Sequence, residues 1–544
     1  MSVVFIKFIK FYNSFRNVFL VFFVVVIFIF FSLYIFSQDR TTGDAASHLL
    51  LAVAPIIKIG APYKDYWDIK PPMMPLILFV WSKIFGFGIV SIRLINILLS
   101  ALSVFLTYFL YKRFFKKPVF EIVFLSTLLI LLSPFLHSIM LPTEILGLCM
   151  SLLALLFLIQ SKNQFYKFFI SGLLFFFSSQ SKEPFSFTVI AVLPFFVYSF
   201  LISGINGFIK NFLLFLAGLF FGFVIIFMYL YFMGSVSSYR EVFIAKSIAY
   251  PLNYSNVSKN FILGLEAAER TFTEFSSGIS ILIVFFLVSL FMVNKYKKLL
   301  FFDRVRLKLK FNSFYVLDKN MLVSYSALFY AIGSFLGFGL GKVFGSHYLI
   351  QVVVPFYIIS GFIISSILGR TSFLIHKSKI LSFISLILFL FSIVIILPKR
   401  QYLKSFLSVN FNFVMKDRVY DFEERITDIT TNDQCILSVY GWGAGENYLY
   451  SGRRSCTRFF LPNIVREEWQ REEYRSSILK NPPAAIIYQT NASDMDVKRF
   501  EYQVINIGNI VNNCYKRDIE NNEIFVPAVL NINDLRECIK DNST

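Results

Sequence analysis

Charged residues are scarce in this sequence, and metal-binding side chains are scarcer still. Asp, Glu, Lys and Arg make up 16% of the 544 residues, and there are only 4 His and 5 Cys. So few charges exclude an ordinary soluble domain. No compact group of His, Cys and Asp has the spacing of metal ligands, so the sequence predicts no cofactor and leaves a divalent metal as the open alternative.

Long apolar blocks make up much of the chain. Hydrophobic residues account for 56% of the sequence, and they form blocks long enough to cross a bilayer as helices. About eleven candidate spans result, with ends uncertain by a few residues. They lie near 18–36, 89–110, 119–136, 144–160, 167–181, 186–202, 211–232, 277–293, 321–340, 349–368 and 380–396. The sequence therefore predicts an α-helical polytopic membrane protein.

Basic residues mark alternate connections between these spans. They are Lys112, Arg113, Lys116 and Lys117, then Lys162 and Lys167, then Lys210, then the Lys- and Arg-rich stretch 294–320, and then Arg370, Lys377 and Lys379. The positive-inside rule assigns these connections and the N-terminus to the cytoplasm, which makes the first span a signal anchor. An odd number of spans then leaves the C-terminal region outside. This topology explains the net charge of +19, so no nucleic-acid partner is predicted.

The composition changes near residue 402 to that of a soluble domain. We therefore divide the chain into a membrane module, 1–401, and a small extracytoplasmic C-terminal domain, 402–544. Charged helical patterns at 419–431 and 463–481 alternate there with the apolar runs CILSVYG, AAIIYQT and YQVINIG, which favours an α/β fold. The glycine-rich GWGAGENY at 441–448 lacks a nucleotide-loop pattern and is interpreted as a turn.

Four cysteines lie in this domain. They are Cys435, Cys456, Cys514 and Cys538. An extracytoplasmic location permits one or two disulfides, and buried reduced thiols are the alternative. The pairing is not readable from the sequence.

The first external loop, 37–75, concentrates charge at one membrane face. After Asp44, apolar residues recur at helical spacing up to Ile59, which predicts a helix in the interface plane with Asp44 near its N-terminus. The Asp44 carboxylate is either a helix cap or a general base. Lys70 precedes a Pro-Pro pair that forces it into extended geometry. Its ammonium group either binds a phosphate at headgroup depth or snorkels to the interface.

Together these residues resemble a known pattern. An external Asp soon after the first span, an interfacial helix and then GAPYKDYWDIKPP at 60–72 look like the GT-C glycosyltransferases of the protein O-mannosyltransferase and aminoarabinose transferase group. SHYLIQVVVPFYIISG at 346–361 resembles a later feature of the bacterial members, an external His-Tyr that opens a proline-containing span. The resemblance covers most of the chain and weakens after residue 400.

The resemblance implies an inverting transfer of a sugar from a polyprenyl-phosphate carrier to an acceptor at the outer membrane face. Asp44 matches the family's catalytic Asp, the base that deprotonates the acceptor. Lys70 matches the lysine that meets the donor phosphate and stabilises its charge. The other candidate substrate-binding residues are His48, Tyr63, Asp65, Asp68, Glu144, Lys182, His347 and Tyr348.

The first loop departs from the family pattern at one position. Many relatives have a second acidic residue directly after the catalytic Asp, where this chain has Ala45. Asp65 or Asp68 then carries part of that role. The alternative for Asp68 is that it only pairs with Lys70.

Later candidates also have simpler interpretations. Glu144 is either a functional group at membrane depth or part of a helix start. Lys182 either binds phosphate or pairs with Glu183. His347 and Tyr348 either contact the substrate or are structural.

A sugar transferase of this kind has defined partners. They are a polyprenyl-phosphate-linked sugar as donor, membrane lipid, and a glycan, a lipid A-like molecule or a protein as acceptor, in a bacterial cytoplasmic (inner) membrane. One rival hypothesis is a transporter or flippase of lipid-linked glycans, which predicts internal repeats that the sequence does not display. The other is a non-catalytic relative that scaffolds glycan assembly.

Overall fold

The structure is a computed structural model. It describes residues 43–115, 143–249, 319–340, 350–368, 421–439, 444–461, 465, 467–488, 506–521, 523–529 and 531–543, with parts of 21–36 and 120–132. The predicted spans at 277–293 and 380–396 lie outside the described residues.

Helices make up the described part of the membrane module. In chain order they are α1 Gly43–Val53, α2 Met73–Phe85, α3 Ile89–Phe114, α4 Thr143–Gln160, α5 Ser171–Ser181, α6 Leu193–Phe232, α7 Val236–Ala249, α8 Lys319–Leu340 and α9 Ile350–Leu368. A π-helical turn, Tyr166–Ile170, leads into α5, and a 3-10 helix, Glu183–Val192, leads into α6.

Several of these helices have the length and composition of membrane spans. Among the described residues, Val90–Phe114, Thr143–Gln160 and the continuous stretch Glu183–Phe232 qualify by themselves. Shorter apolar helices occupy Met73–Phe85, Leu322–Phe338 and Ile350–Phe362. The prediction of a helical membrane protein is confirmed, whereas the number of spans stays a prediction.

The stretch Glu183–Phe232 is folded back on itself at Gly204. The backbone of Gly204 has φ 64° and ψ −161°, outside the helical region. Asn211 Nδ2 donates a 2.7 Å hydrogen bond to Ser199 Oγ, although a straight helix would place these residues about 18 Å apart. The stretch therefore forms two antiparallel helices, in agreement with the two spans predicted on either side of this glycine.

Glycines allow neighbouring helices to touch backbone to backbone. A Cβ atom added to Gly218 of α6 would overlap the carbonyl oxygen of Phe169, and one added to Gly172 of α5 would overlap the carbonyl oxygen of Phe215. Such contacts suit a membrane interior. Apolar side chains gain little there by leaving lipid, so helices associate through close packing.

The C-terminal domain is built around a five-stranded sheet. Its helices are α10 Asp421–Ile429, α11 Ala444–Ser451, α12 Glu468–Lys480, α13 Ile507–Cys514 and α14 Ile532–Asn542, and its strands are β1 Cys435–Val439, β2 Arg454–Ser455, β3 Ala485–Tyr488, β4 Tyr515–Arg517 and β5 Ile524–Pro527. The strand order is β2-β1-β3-β5-β4. β1 runs parallel to β2 and β3, and β5 runs antiparallel to β3 and β4.

Two local assignments in this domain differ from the sequence predictions. The glycine-rich segment predicted as a turn contains the helix α11. The run YQVINIG, grouped with the strands, leads into the helix α13. The buried residues of α13 are Ile507, Ile510, Val511 and Cys514, which recur at helical spacing. This spacing indicates a helix, whereas the short apolar run before it suggested a strand.

The four cysteines of the domain form two disulfides. Cys435 at the start of β1 pairs with Cys456, which follows β2, and Cys514 at the end of α13 pairs with Cys538 of α14. Of the two alternatives left by the sequence, disulfides are therefore the one observed. Cys149 in α4 is a buried free thiol.

Candidate functional site

The loop between α1 and α2 is tightly folded. Asp65 Oδ2 accepts a 2.7 Å hydrogen bond from the backbone N–H of Ala61, and the N–H of Tyr63 donates to the carbonyl oxygen of Tyr66 at 3.0 Å. Gly60 permits this turn because a Cβ atom there would overlap Asp65 and the Tyr66 ring. Tyr63 has a φ of 62°, an unfavourable conformation for a large side chain that its surroundings must maintain.

Lys70 ends this loop, and its backbone is held on both sides. The Tyr63 hydroxyl donates a 3.0 Å hydrogen bond to the Lys70 carbonyl oxygen, and the Lys70 N–H donates to Asp68 Oδ1 at 3.3 Å. Asp68 is fully buried, and Lys70 is 9% exposed. The loop therefore presents a nearly buried lysine from a fixed backbone, and Asp68 contributes by binding the backbone of that lysine.

Tyr63 is the buried centre of this arrangement. Its ring meets the ring of Tyr239 in α7 edge to face, with centroids 5.0 Å apart. Burial raises the pKa of the Tyr63 hydroxyl well above its usual 10.0, and the neighbouring Tyr239, Tyr229, Asp68 and Glu183 raise it further. The hydroxyl therefore stays protonated and remains a hydrogen-bond donor to Lys70.

The helix α1 carries Asp44 in its first turn and His48 one turn later. It ends at Val53, earlier than the sequence predicted. From Ala45 to Ala54 every side chain is buried, including that of His48. The predicted helix with Asp44 near its N-terminus is therefore present, and α2 and the C-terminal helix α11 pack on it and cover its sides. Its position in the interface plane stays a prediction.

A buried pair of charges lies at the start of α4. Lys182 Nζ is 3.0 Å from Glu144 Oε1, and Thr143 Oγ1 donates a 3.2 Å hydrogen bond to Glu144 Oε2. The exposed fractions of the Lys182 and Glu144 side chains are 14% and 2%. From the sequence, Lys182 was expected either to bind phosphate or to pair with Glu183. The structure instead joins the two candidate residues, as expected for buried charges that must be paired.

The remaining predicted site residues are Asp65, His347 and Tyr348. Asp65 is exposed and serves the turn described above. His347 and Tyr348 lie outside the described residues. Within the described part of the chain, no three His, Cys, Asp or Glu side chains are grouped so as to hold a metal ion. The expectation that no cofactor is needed stays a prediction.

Sequence reasoning missed the part of the site that the C-terminal domain supplies. The N–H of Trp67 donates a 2.7 Å hydrogen bond to the carbonyl oxygen of Arg458. The ring of Tyr66 lies with its centroid 5.6 Å from that of Phe460. The adjacent aromatic residues of DYWDIK and of CTRFF were the available signal, since buried aromatic pairs often join separate segments.

Comparison with known proteins supports the resemblance inferred from the first loop. Residues 69–232 match the family described as dolichyl-phosphate-mannose-protein mannosyltransferase. No curated protein matches the chain.

Three solved structures are similar to the chain at low identity. ArnT from Cupriavidus metallidurans bound to undecaprenyl phosphate has 13% identity and a TM-score of 0.45, with 80% of this chain and 85% of ArnT covered. Its apo state has 13% identity and a TM-score of 0.46, with 87% and 93% covered. The Archaeoglobus fulgidus oligosaccharyltransferase tethered to an acceptor peptide with the NVT sequon has 12% identity and a TM-score of 0.47, with 87% and 69% covered.

The family match and the apolar helices define the class of the protein. It is a helical membrane protein, as the apolar blocks predicted, and its residues 69–232 resemble the glycosyltransferases of the mannosyltransferase family. The matched segment begins at Ile69, directly before Lys70, and continues through α2 to α6.

Proposed function

We propose that the protein is an inverting glycosyltransferase that moves a sugar from a polyprenyl-phosphate carrier to an acceptor at the outer membrane face. Asp44 is the general base in this proposal, and Lys70 binds the donor phosphate. The acceptor is a glycan, a lipid or a protein.

The observation that carries the proposal is the fixed backbone of Lys70. The Tyr63 hydroxyl and the Asp68 carboxylate bind the carbonyl oxygen and the N–H of this one residue, and the family match begins beside it. A nearly buried lysine on a fixed backbone stabilises a leaving phosphate better than a mobile surface lysine, because less reorganisation is needed as charge develops. The short loop also connects this lysine to α1, which carries Asp44.

The proposed reaction exchanges one bond for another. The Asp44 carboxylate takes the proton of the acceptor hydroxyl, and the acceptor oxygen forms a bond to the anomeric carbon of the sugar. The bond from that carbon to the phosphate oxygen breaks on the opposite face, which inverts the configuration. The electron pair leaves with the polyprenyl phosphate, and the Lys70 ammonium group compensates the added negative charge.

The outer face is favoured by two independent observations. Disulfides persist outside the reducing cytoplasm, and the C-terminal domain contains two of them. Lys112 and Arg113 lie at the last turn of α3, at the end opposite the first loop, as the positive-inside rule requires of a cytoplasmic end. We therefore propose a bacterial cytoplasmic membrane location with the C-terminal domain and the first loop outside.

The experiment that tests the proposal is sugar transfer in proteoliposomes. A panel of radiolabelled polyprenyl-phosphate sugars is supplied with membrane extract as acceptor, and the natural chain is compared with Asp44→Asn and Lys70→Ala. We expect Asp44→Asn to reduce transfer by about 100-fold or more, and Lys70→Ala to reduce it by about 100-fold. Lys64→Ala is the matched control, because Lys64 lies in the same loop but is exposed.

Each outcome has a clear meaning if the variants elute as folded protein. Transfer that survives Asp44→Asn would show that Asp44 is not the base. An equal loss in Lys64→Ala and Lys70→Ala would remove the specific role of Lys70. If no donor supports transfer by the natural chain, a flippase assay with the same labelled donors tests the transporter hypothesis.

A further inference from the structure

Trp67 of the first loop is held in place by contacts with the C-terminal domain. Its side chain is 1% exposed, and its N–H is bound by the Arg458 carbonyl oxygen at 2.7 Å. Its ring lies with its centroid 5.4 Å from that of Phe459 and 6.4 Å from that of Trp469. A residue of the loop is thus enclosed by the soluble domain a short distance before Lys70.

The side chain of Arg458 ties this point to two further elements. Its Nη1 lies 2.8 Å from Glu241 Oε2 of α7, and its Nε lies 2.6 Å from Glu473 Oε1 of α12. Its guanidinium carbon is also 5.7 Å from the centre of the Trp469 ring. One residue of the C-terminal domain therefore joins the loop, the helix α7 and the helix α12.

The C-terminal domain also contacts α1 closely, at Ser47. The helix α11 approaches α1 so closely at Gly445 that an added Cβ atom would lie 3.1 Å from Ser47 Oγ and 3.3 Å from Ser47 Cα. Contacts this short are tighter than ordinary van der Waals packing, so any larger side chain must push the two helices apart. Ser47 is in the same short helix as Asp44.

The segment after β2, which carries Arg458, is itself anchored by a disulfide. Cys456, two residues before Arg458, is bonded to Cys435 of β1. Its N–H donates a 3.1 Å hydrogen bond to the Ile436 carbonyl oxygen. The other disulfide, Cys514–Cys538, joins α13 and α14, neither of which carries a residue of the contacts described above.

We propose that the C-terminal domain is a positioning device for the transfer site, with Arg458 and Gly445 as its positioning residues and the Cys435–Cys456 disulfide as its support. It holds the chain at Ser47 and at Trp67, and so sets the positions of α1 and of Lys70 relative to each other. This inference rests on the proposed function for its consequence in catalysis. Its physical content, the ordering of the loop, is independent of any activity.

The first test removes one disulfide at a time. The two disulfides close loops of similar length, with sequence separations of 21 and 24, so their loss should destabilise the domain to a similar extent. We expect the double variant Cys435→Ser/Cys456→Ser to speed hydrogen exchange at the Tyr63, Trp67 and Lys70 amides by about 10-fold or more. The matched variant Cys514→Ser/Cys538→Ser should leave these amides unchanged. Equal effects of both pairs on the loop, or none, would overturn the proposal.

The second test uses substitutions that keep both disulfides. Gly445→Val and Arg458→Ala should raise the donor KM and reduce kcat, by about 100-fold in kcat/KM, because small displacements of catalytic groups are costly. Binding of a polyprenyl phosphate in nanodiscs should weaken in parallel. The controls are Gly88→Ala, where a Cβ atom meets nothing within 4 Å, and Arg471→Ala, which removes a 3.0 Å pair with Glu468 on α12.

The two proposals fail in distinguishable ways. If the natural chain transfers sugar but Gly445→Val and Arg458→Ala change neither loop exchange nor kcat/KM, the positioning role is wrong and the proposed function stands. If the natural chain transfers nothing, faster loop exchange in these variants and in the Cys435–Cys456 variant still supports the mechanical coupling.

Discussion

The two regions of this protein are held together by different forces, although they share a continuous buried core. In the membrane module, α5 and α6 touch through glycines that bring backbone against backbone at Gly172 and Gly218. In the C-terminal domain, the first strand of a small sheet is wholly buried. One disulfide cross-links this strand to the segment after β2, and a second joins the helices α13 and α14. In lipid, the hydrophobic effect does not drive helices together, so they associate through close packing. In water, the hydrophobic effect stabilises a folded domain, but a small core buries little surface and gains from cross-links.

The site lies where these two kinds of packing meet. The apolar core runs without interruption from residues of α1 and the first loop into residues of the sheet. The first loop of the membrane module is therefore packed partly against residues of the C-terminal domain. The helix α1 is enclosed there, and Asp68 in the loop that follows it is fully buried.

The largest effect should come from filling a glycine contact in the membrane module. Gly218→Leu places side-chain atoms where the Phe169 carbonyl oxygen lies, so the two helices cannot approach and folded protein should be lost, a cost of about 3 kcal/mol or more. Yield and monodispersity on size exclusion in detergent provide the measurement. Gly88→Ala is the control, since its Cβ atom meets open space. Normal folding of Gly218→Leu would show that the close contact is dispensable.

The next effect should be confined to the C-terminal domain. Loss of either disulfide should lower the free energy of unfolding of the domain by about 3 kcal/mol, through the larger freedom of the unfolded chain. Hydrogen exchange in β1 and β3, compared with exchange in α3 and α4, measures this difference within one sample. If the membrane helices lost protection to the same degree, the two regions would not be separately stabilised.

A smaller effect is expected inside the membrane module, where a polar contact adds little. Cys149 Sγ donates a 3.2 Å hydrogen bond to the Leu99 carbonyl oxygen and joins α4 to α3. Cys149→Ala should reduce the free energy of unfolding by about 1 kcal/mol, the cost of a small cavity and one weak hydrogen bond. Unfolding in mixed micelles is the measurement, and Cys149→Ser, which keeps the size and a donor, should lie closer to the natural chain.

The smallest effect should appear in a charge pair of the C-terminal domain, Arg425 with Asp518. Hydrogen bonds and charge from Arg425 lower the pKa of Asp518, with Arg425 Nε 2.9 Å from Asp518 Oδ2. Because the folded-state pKa is depressed, this contribution to stability is present above the unfolded value of about 3.9 and is lost as the pH falls through the folded value. Asp518→Asn should cost about 0.5 kcal/mol at pH 7 after solvent screening.

The pH dependence tests the origin of that effect. Thermal unfolding of the natural chain and of Asp518→Asn should differ at pH 7 and converge as the pH is lowered below the depressed pKa of Asp518. A difference that stays constant with pH would assign it to packing rather than charge.

Sequence reasoning performed best where one physical signal dominates. Membrane-length apolar runs located α3 and α4, and the turn at Gly204 agrees with two predicted spans on its two sides. It performed worst where a segment depends on a distant partner. The glycine-rich segment at 441–448 was predicted as a turn but contains the helix α11, which packs on α1. The helix after Asp44 was predicted to extend to Ile59 but ends at Val53.

The sequence by itself determined the class of the protein, and through the family resemblance it proposed Asp44 and Lys70 for the central roles. Apolar block lengths reflect the thickness of a bilayer, and the spacing of Asp44, Lys70 and the Pro-Pro pair is a local property of the chain. Only the tertiary structure decided that Lys182 pairs with Glu144, that Trp67 is held by Arg458, and that Cys435 is bonded to Cys456. These contacts join residues far apart in the chain, and their partners are selected by shape and burial in three dimensions, which no local pattern encodes.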